Sequence, residues 1–326
     1  MNDPADGVDG SALTPERLLR RLEWTVIRRL DGRLQGDYRT LLRGHGIEFT
    51  DLREYVPTDE SRYIDWNVTA RMDTPYVRQF LEERDVTAWL VLDRSPSMDF
   101  GPVQRRKDRV LVEVAATMAQ LLARAGNRVG AICFDHRVRE RIPPAHGRRQ
   151  VLRIISSAQG RTAAMRGAPD ASPDGAHPAG PGTDLAVPLL QLANLARRRS
   201  LVLVISDFIS TPGWERALSG LGRRHEVVML RITDPREFDL PAVGMVYVED
   251  PETGEQLLID TDDAQFRARL AAVAAEREEA LRAAAASAGA ELYSVSTEED
   301  LVSALVRVAA LRARTARANP AAGGAR

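Results

Sequence analysis

The chain contains one cysteine, Cys133, and one lysine, Lys107, among 326 residues. A single cysteine excludes an internal disulfide. It lies in the apolar run Ala131-Ile132-Cys133-Phe134 and reads as a small core hydrophobe, with no neighbour in sequence to lower its pKa. Long apolar runs are also missing. A stretch such as Leu201 to Ile205 falls far short of the roughly 20 residues needed to span a bilayer. The first ten residues, MNDPADGVDG, lack the basic-then-apolar order of a secretory leader. The expected setting is therefore reducing and cytoplasmic, without direct membrane insertion. Charge of one sign is scarce as well: 45 basic side chains face 46 acidic ones, which argues against a dedicated nucleic-acid binder. There is no glycine-rich phosphate loop of the Walker type, so the chain is not itself an NTPase. The five histidines, His45, His136, His146, His177 and His225, are scattered and never stand at ligand spacing with Cys or another His, which makes a zinc site improbable.

Hydrophobic residues reach 44%, enough for a real core. Residues 1–13 are polar and read as a disordered lead-in. Thr14-Pro15-Glu16 is a helix start, with Thr14 as N-cap and Pro15 at the first helical position. Apolar positions at Leu18, Leu22, Trp24 and Ile27 carry that helix to about Leu30. Residues 31–75 have no clean period. From Val86 the pattern becomes alternating strands and helices: strands at Val86–Leu92, Arg128–Phe134, Val138–Ile142, Leu201–Asp207, Glu226–Ile232 and Glu291–Val295. Helices are expected near 105–125, 148–158, 184–198, 214–222 and 262–287. A last helix should start from a capping box of Ser296 and Glu299. Continuous apolar strands alternating with helices predict an α/β fold with a doubly wound, mostly parallel sheet. Two β-rich runs around Asp250-Pro251-Glu252-Thr253-Gly254 predict an inserted hairpin over 245–260. The Ala-, Gly- and Pro-rich stretch 160–182 reads as a mobile loop, and 316–326 as a disordered tail. The domain plan is thus 14–85 docked on a main domain of 86–315.

Asp93-Arg94-Ser95-Pro96-Ser97-Met98 follows the first buried strand. An aspartate and two serines at alternate positions offer three oxygen ligands from one tight loop, at the carboxyl end of a strand, where open α/β sheets bind ligands. Oxygen donors of this kind suit Mg²⁺ or Mn²⁺. Two further segments add to it. Thr183 stands where the long loop enters a helix, and Asp207 closes another buried strand. Each residue alone has a local reading: Asp93 capping a turn, the serines bonding nearby backbone, Thr183 as an N-cap, Asp207 starting a loop. All five in this order favour a metal site. Lys107, early in the next helix, reads as a solvated or stem-packing lysine rather than one that approaches the site. The order Asp-x-Ser-x-Ser, then Thr, then Asp resembles the metal-ion-dependent adhesion site of von Willebrand factor A domains. The resemblance implies direct metal binding by Ser95, Ser97 and Thr183. It implies that Asp93 and Asp207 bind directly or through water, and that one position stays open for a partner's acidic side chain.

A second constellation covers 44–84: Gly46-Ile47-Glu48-Phe49, Leu52-Arg53-x-Tyr55, Asp59, Arg62, Ile64-Asp65-Trp66-x-x-x-Ala70-Arg71, then Tyr76-Val77-Arg78-Gln79-Phe80. It resembles the bacterial domain of unknown function 58 family, whose members join such a segment to a von Willebrand factor A-like domain. Thr58-Asp59 departs from the Gly-Asp usual there. Arg53, Arg62 and Arg71 among Glu48, Asp51, Asp59 and Asp65 suggest an ion-pair network. Two readings stand for it: a structural clamp docking the segment on the main domain, or a partner-binding surface of Arg53, Arg62, Asp65, Trp66 and Arg71, since Arg and Trp are favoured in interfaces. The family resemblance implies a partner, a MoxR-type AAA+ ATPase, because members are commonly encoded beside one. The expected function is a metal-dependent protein-interaction module. The alternative is a Mg-assisted hydrolase or phosphatase, against which no general base or nucleophile is obvious beside the metal loop. The loop before Thr183 is expected to move when a partner docks.

Overall fold

In this computed structural model the described residues are 13–34, 52–56, 69, 74–78, 86–101, 105–167, 182–249 and 255–318. Strand β3 (Thr87–Asp93) is buried along almost its whole length, as a continuous apolar run requires when both faces of a sheet are covered. Its side chains alternate between two cores. Ala88, Leu90 and Leu92 face one, Trp89 and Val91 the other. Two short strands precede it, β1 (Leu52–Glu54) and β2 (Tyr76–Arg78), paired antiparallel. The other strands of the main sheet are β4 (Arg128–Phe134), β5 (Val138–Ala145), β6 (Leu201–Ser206), β7 (Glu226–Thr233) and β10 (Glu291–Ser296). Their order is β10-β7-β6-β3-β4-β5. Every neighbouring pair is parallel except β4 and β5. β5 is an edge strand with half-exposed alternation and Pro143-Pro144 near its end, where missing N–H groups cost no ladder bond.

Helices cover both faces. Helix α1 (Pro15–Leu22), a π-helical turn (Glu23–Ile27) and α2 (Arg28–Leu34) pack on one core with α3 (Lys107–Arg124), α4 (Arg148–Gly167) and α8 (Leu301–Ala318). Helices α5 (Ala186–Leu195), α6 (Trp214–Gly222) and α7 (Ala264–Ala288) cover the opposite face. Gly222 lets α6 approach α7 so closely that an added Cβ would lie 1.8 Å from the Ala288 carbonyl oxygen. The pair β8 (Met245–Glu249) and β9 (Gln256–Asp260) forms a separate antiparallel ribbon with Tyr247, Leu257 and Leu258 exposed. Among the described residues no helix is long and apolar enough to cross a membrane.

Several local expectations need correction. Trp24 is 62% exposed, its ring covered by the Arg28 guanidinium at 3.5 Å, while Leu19, Val26 and Leu30 join Leu18, Leu22 and Ile27 in the core. Two residues after Leu22, Trp24 falls on the opposite side of the helix from Leu18 and Leu22, so the helical period itself turns it to solvent. Residues 160–167 continue helix α4; Ala163, Ala164 and Met165 are good helix formers, and extending a nucleated helix is favourable. The remainder of that expected loop, 168–181, lies outside the described residues. The last helix reaches Ala318, past the expected start of the tail, and its first turn is held by Asp300, which accepts from the Ser303 N–H at 3.1 Å. Ser296 accepts instead from the Glu298 N–H, so the expected capping box does not form. The lead-in 1–12 and the residues Arg62, Asp65, Trp66 and Arg71 also fall outside the described set. Of the proposed surface only the Arg53 backbone, within β1, is seen.

Candidate metal centre

The chain leaves β3 toward α3 on one face and leaves its neighbour β6 toward α6 on the other. Loops that diverge to opposite faces open a crevice above the carboxyl ends of the strands. Asp93 ends β3 and Asp207 follows β6, so both carboxylates stand at this crevice. Asp93, Ser95, Ser97, Thr183 and Asp207 are all buried.

The first loop is held by its own polar groups. Asp93 Oδ1 accepts from the Ser95 N–H at 2.9 Å, the local bond expected of an Asp opening a turn. Pro96 then starts a 3₁₀ turn (Pro96–Asp99), which brings Ser97 back toward Ser95, their Oγ atoms 2.9 Å apart. Gly101, at φ 141°, ends this loop where a Cβ would lie 2.5 Å from the Arg105 carbonyl oxygen, so no other residue fits without a backbone shift.

The second loop binds the first. Ser206 donates to Asp93 Oδ2 at 2.5 Å and accepts from the Phe208 N–H at 2.8 Å. Phe208 has φ 60°, a left-handed conformation rare for a bulky residue, and its ring lies 5.9 Å from that of Trp214. The turn it makes lets the Ile209 N–H reach Asp207 Oδ1 at 2.9 Å. The Thr183 carbonyl accepts from the Thr211 N–H and the Ser210 hydroxyl, both at 2.9 Å, and the Leu185 N–H donates to Ser210 Oγ at 3.0 Å. Thr183 is therefore fastened to the loop after Asp207. The three separated segments are joined: 93–97 to 206 directly, and 183 to 210–211.

Lys107 corrects the expectation set for it. It is completely buried, and its Nζ donates to Asp207 Oδ2 at 2.7 Å and to Glu237. Glu237 belongs to a 3₁₀ turn (Pro235–Glu237) capped by Asp234 after β7. Burial alone would push the Lys107 ammonium down, but the charges of Asp207 and Glu237 outweigh it and hold it above its ordinary value. Asp93 has the opposite problem. Burial, then the charge of Asp207, pushes its carboxyl up to about 7 despite hydrogen bonds from Ser206 and Ser95. Lys107, Ser206, Phe208 and Glu237 escaped sequence reasoning. Only Lys107 left a signal there, as the sole lysine in an arginine-rich chain.

These residues suit a divalent cation. Among the described residues there is no cluster of three or more His, Cys, Asp or Glu that could hold a metal, so any such site must draw on hydroxyls. Here three hydroxyls and two carboxylates provide oxygen donors only, the set hard cations prefer. Asp93 and Asp207 are both buried here, and Asp207 has Lys107 beside it while Asp93 is bonded only by Ser95 and Ser206, so the raised Asp93 carboxyl is the group that a cation would relieve.

A doubly wound sheet with hydroxyl and carboxylate side chains above its central strands is an arrangement similar to that of von Willebrand factor A domains. The family model "Protein of unknown function DUF58" matches residues 51–280, and the chain belongs to that family. Uncharacterized protein Rv1480 of Mycobacterium tuberculosis (strain ATCC 25618 / H37Rv) is 37% identical over 301 residues, 91% of this chain and 90% of that protein. The protein MAV169 of Mycobacterium avium is 36% identical over 139 residues, 43% of this chain and 82% of the relative. Among solved structures, BatB from Bacteroides thetaiotaomicron is similar at TM-score 0.42 and 16% identity, over 70% of this chain and 99% of that one. A von Willebrand factor type A protein from Catenulispora acidiphila is similar at TM-score 0.37 and 12% identity, over 74% and 44%.

Proposed function

We propose that the chain is a metal-dependent protein-interaction module that takes Mg²⁺ or Mn²⁺ at Ser95, Ser97 and Thr183, with Asp93 and Asp207 beside them. One observation supports the reading: five buried oxygen side chains stand on three chain segments, with Ser206 bonded to Asp93 and the Thr183 backbone bonded to the loop after Asp207. A divalent cation held by neutral hydroxyls and few carboxylates retains charge and offers an open position to an acidic side chain. The chain's own part is to fix the donors. Asp93 orients Ser95 through its N–H, Ser206 orients Asp93, and the 210–211 loop fixes Thr183. The partner is an acidic segment of a MoxR-type AAA+ ATPase, and charge-assisted contact lets one carboxylate dominate recognition.

Calorimetric titration of Mg²⁺ and Mn²⁺ into wild type and Asp93→Ala tests the metal. Wild type binds and the variant loses affinity; equal affinity in both removes the assignment. A pull-down with the ATPase tests the partner. Capture should need Mg²⁺ and fail in chelator or with Ser95→Ala/Ser97→Ala, whereas capture in chelator removes this mechanism and leaves the fold standing.

A further inference from the structure

The one lysine of the chain is spent entirely inside the protein, on a carboxylate that the metal reading also needs. Lys107 opens helix α3, its N–H bonded to the Phe100 carbonyl at 2.9 Å, and its side chain runs inward to Asp207 and Glu237. The aromatic face of Phe100 lies 5.8 Å from Nζ. In a chain where every other basic side chain is arginine, this one lysine stands between two carboxylates, which its compact ammonium bridges as a point donor. Both Asp207 oxygens are thereby engaged, Oδ1 by the Ile209 N–H and Oδ2 by Lys107. Asp93 has no ammonium or guanidinium among its hydrogen-bond donors, which are Ser95 and Ser206.

We propose that Lys107 is the positioning residue that sets the charge of the metal centre: it holds Asp207 as an ion-pair partner, outside direct coordination, so that the cation is bound by hydroxyls and the Asp93 carboxylate. The proposal rests on the metal reading above and deepens it. With Asp207 paired to an internal cation, the bound ion faces one unpaired carboxylate rather than two. It is held less tightly and keeps more positive charge for an acidic ligand. Glu237 belongs to the same device. It shares the ammonium, so Lys107 compensates Asp207 only in part, and the three side chains together carry one net negative charge.

The test is Mn²⁺ affinity by calorimetry on the folded full-length chain. Lys107→Met strands Asp207 and Glu237 without counter-charge, so the double variant Lys107→Met/Glu237→Gln, which leaves only Asp207 unpaired, is measured beside it. Lys107→Met should bind Mn²⁺ about tenfold or more tighter than wild type, as expected when a nearby cation is removed from a buried site, and the double variant, which loses one charge of each sign but frees Asp207, should still bind more tightly by a smaller factor. Glu237→Gln alone leaves the ammonium less shared and should weaken Mn²⁺ several-fold. A further readout is competition by acetate, a carboxylate probe for the open position. Acetate should bind the Mn²⁺ form of wild type more tightly than that of the double variant. Unchanged or weaker Mn²⁺ binding in the double variant overturns the role of Lys107 and leaves the metal centre intact. Absence of Mn²⁺ binding in wild type removes the metal reading itself and this proposal with it.

Discussion

Replacing Asp93 by Asn keeps the shape of the side chain and deletes its charge, and the consequence depends on pH. In chelator, the folded chain holds the Asp93 proton up to about pH 7, whereas the unfolded chain releases it near the ordinary 3.8. Between those values the folded state binds one proton more than the unfolded state. The stability this confers is full below about pH 4 and is lost as pH rises through 7. From pH 5 to pH 7 the slope of ~1.36 kcal/mol per unit removes about 2–3 kcal/mol from the wild type. Asp93→Asn has no such proton. Its carbonyl can still accept from the Ser95 N–H, and Ser206 must turn to accept from the new amide, at a cost of about 1 kcal/mol that is the same at every pH. Urea unfolding of both proteins at pH 5 and pH 8 in chelator should therefore show the variant gaining about 2–3 kcal/mol on wild type across the interval. With saturating Mn²⁺ the order reverses at pH 8, because metal stabilises only the chain that keeps the carboxylate. Parallel pH profiles in chelator would refute the claim that burial and the charge of Asp207 make the ionised Asp93 costly.

Two further outcomes follow from packing. Gly222→Ala drives a Cβ into the Ala288 carbonyl, and because that atom is backbone the helices must separate; the expected loss is about 1–3 kcal/mol, read as a lower urea midpoint, and an unchanged midpoint contradicts the close approach of α6 and α7. Burial pushes the Cys133 thiol up to about 11, so it should resist a thiol reagent at pH 8 in the folded state and react only at the rate of unfolding; fast labelling of native protein contradicts its place in the core.

The sheet was legible because each of its inner strands is a short apolar run bounded by charge or turn residues, as at Leu201 to Ser206 and Arg128 to Phe134, and local pattern suffices for that. The helix limits were less so, because Gly160 and Gly167 bracket a segment of good helix formers whose helical state depends on the turns already formed before it. Of the candidate site, the order of Asp93, Ser95, Ser97, Thr183 and Asp207 at strand ends and a helix start is visible in the sequence, and all five are buried. The ion pair between Lys107 and Asp207 joins residues 100 positions apart. No local rule reports such a contact, and a lone lysine at a helix start has many solvated counterparts. Trp24 is apolar, but two residues after Leu22 it lies across the helix from the buried stripe, where Arg28 covers its ring.

The bonds from Ser210 and Thr211 to the Thr183 carbonyl have a consequence for how this protein can vary. Thr183 takes its position from the chain that follows β6, 27 residues and more downstream, not from the segment that leads into it. The place of Thr183 therefore varies with residues that are not themselves proposed ligands. Ser210→Ala removes one of the bonds to the Thr183 carbonyl and the acceptor of the Leu185 N–H, and is expected to weaken Mn²⁺ binding even though Ser95, Ser97, Thr183 and both aspartates are intact.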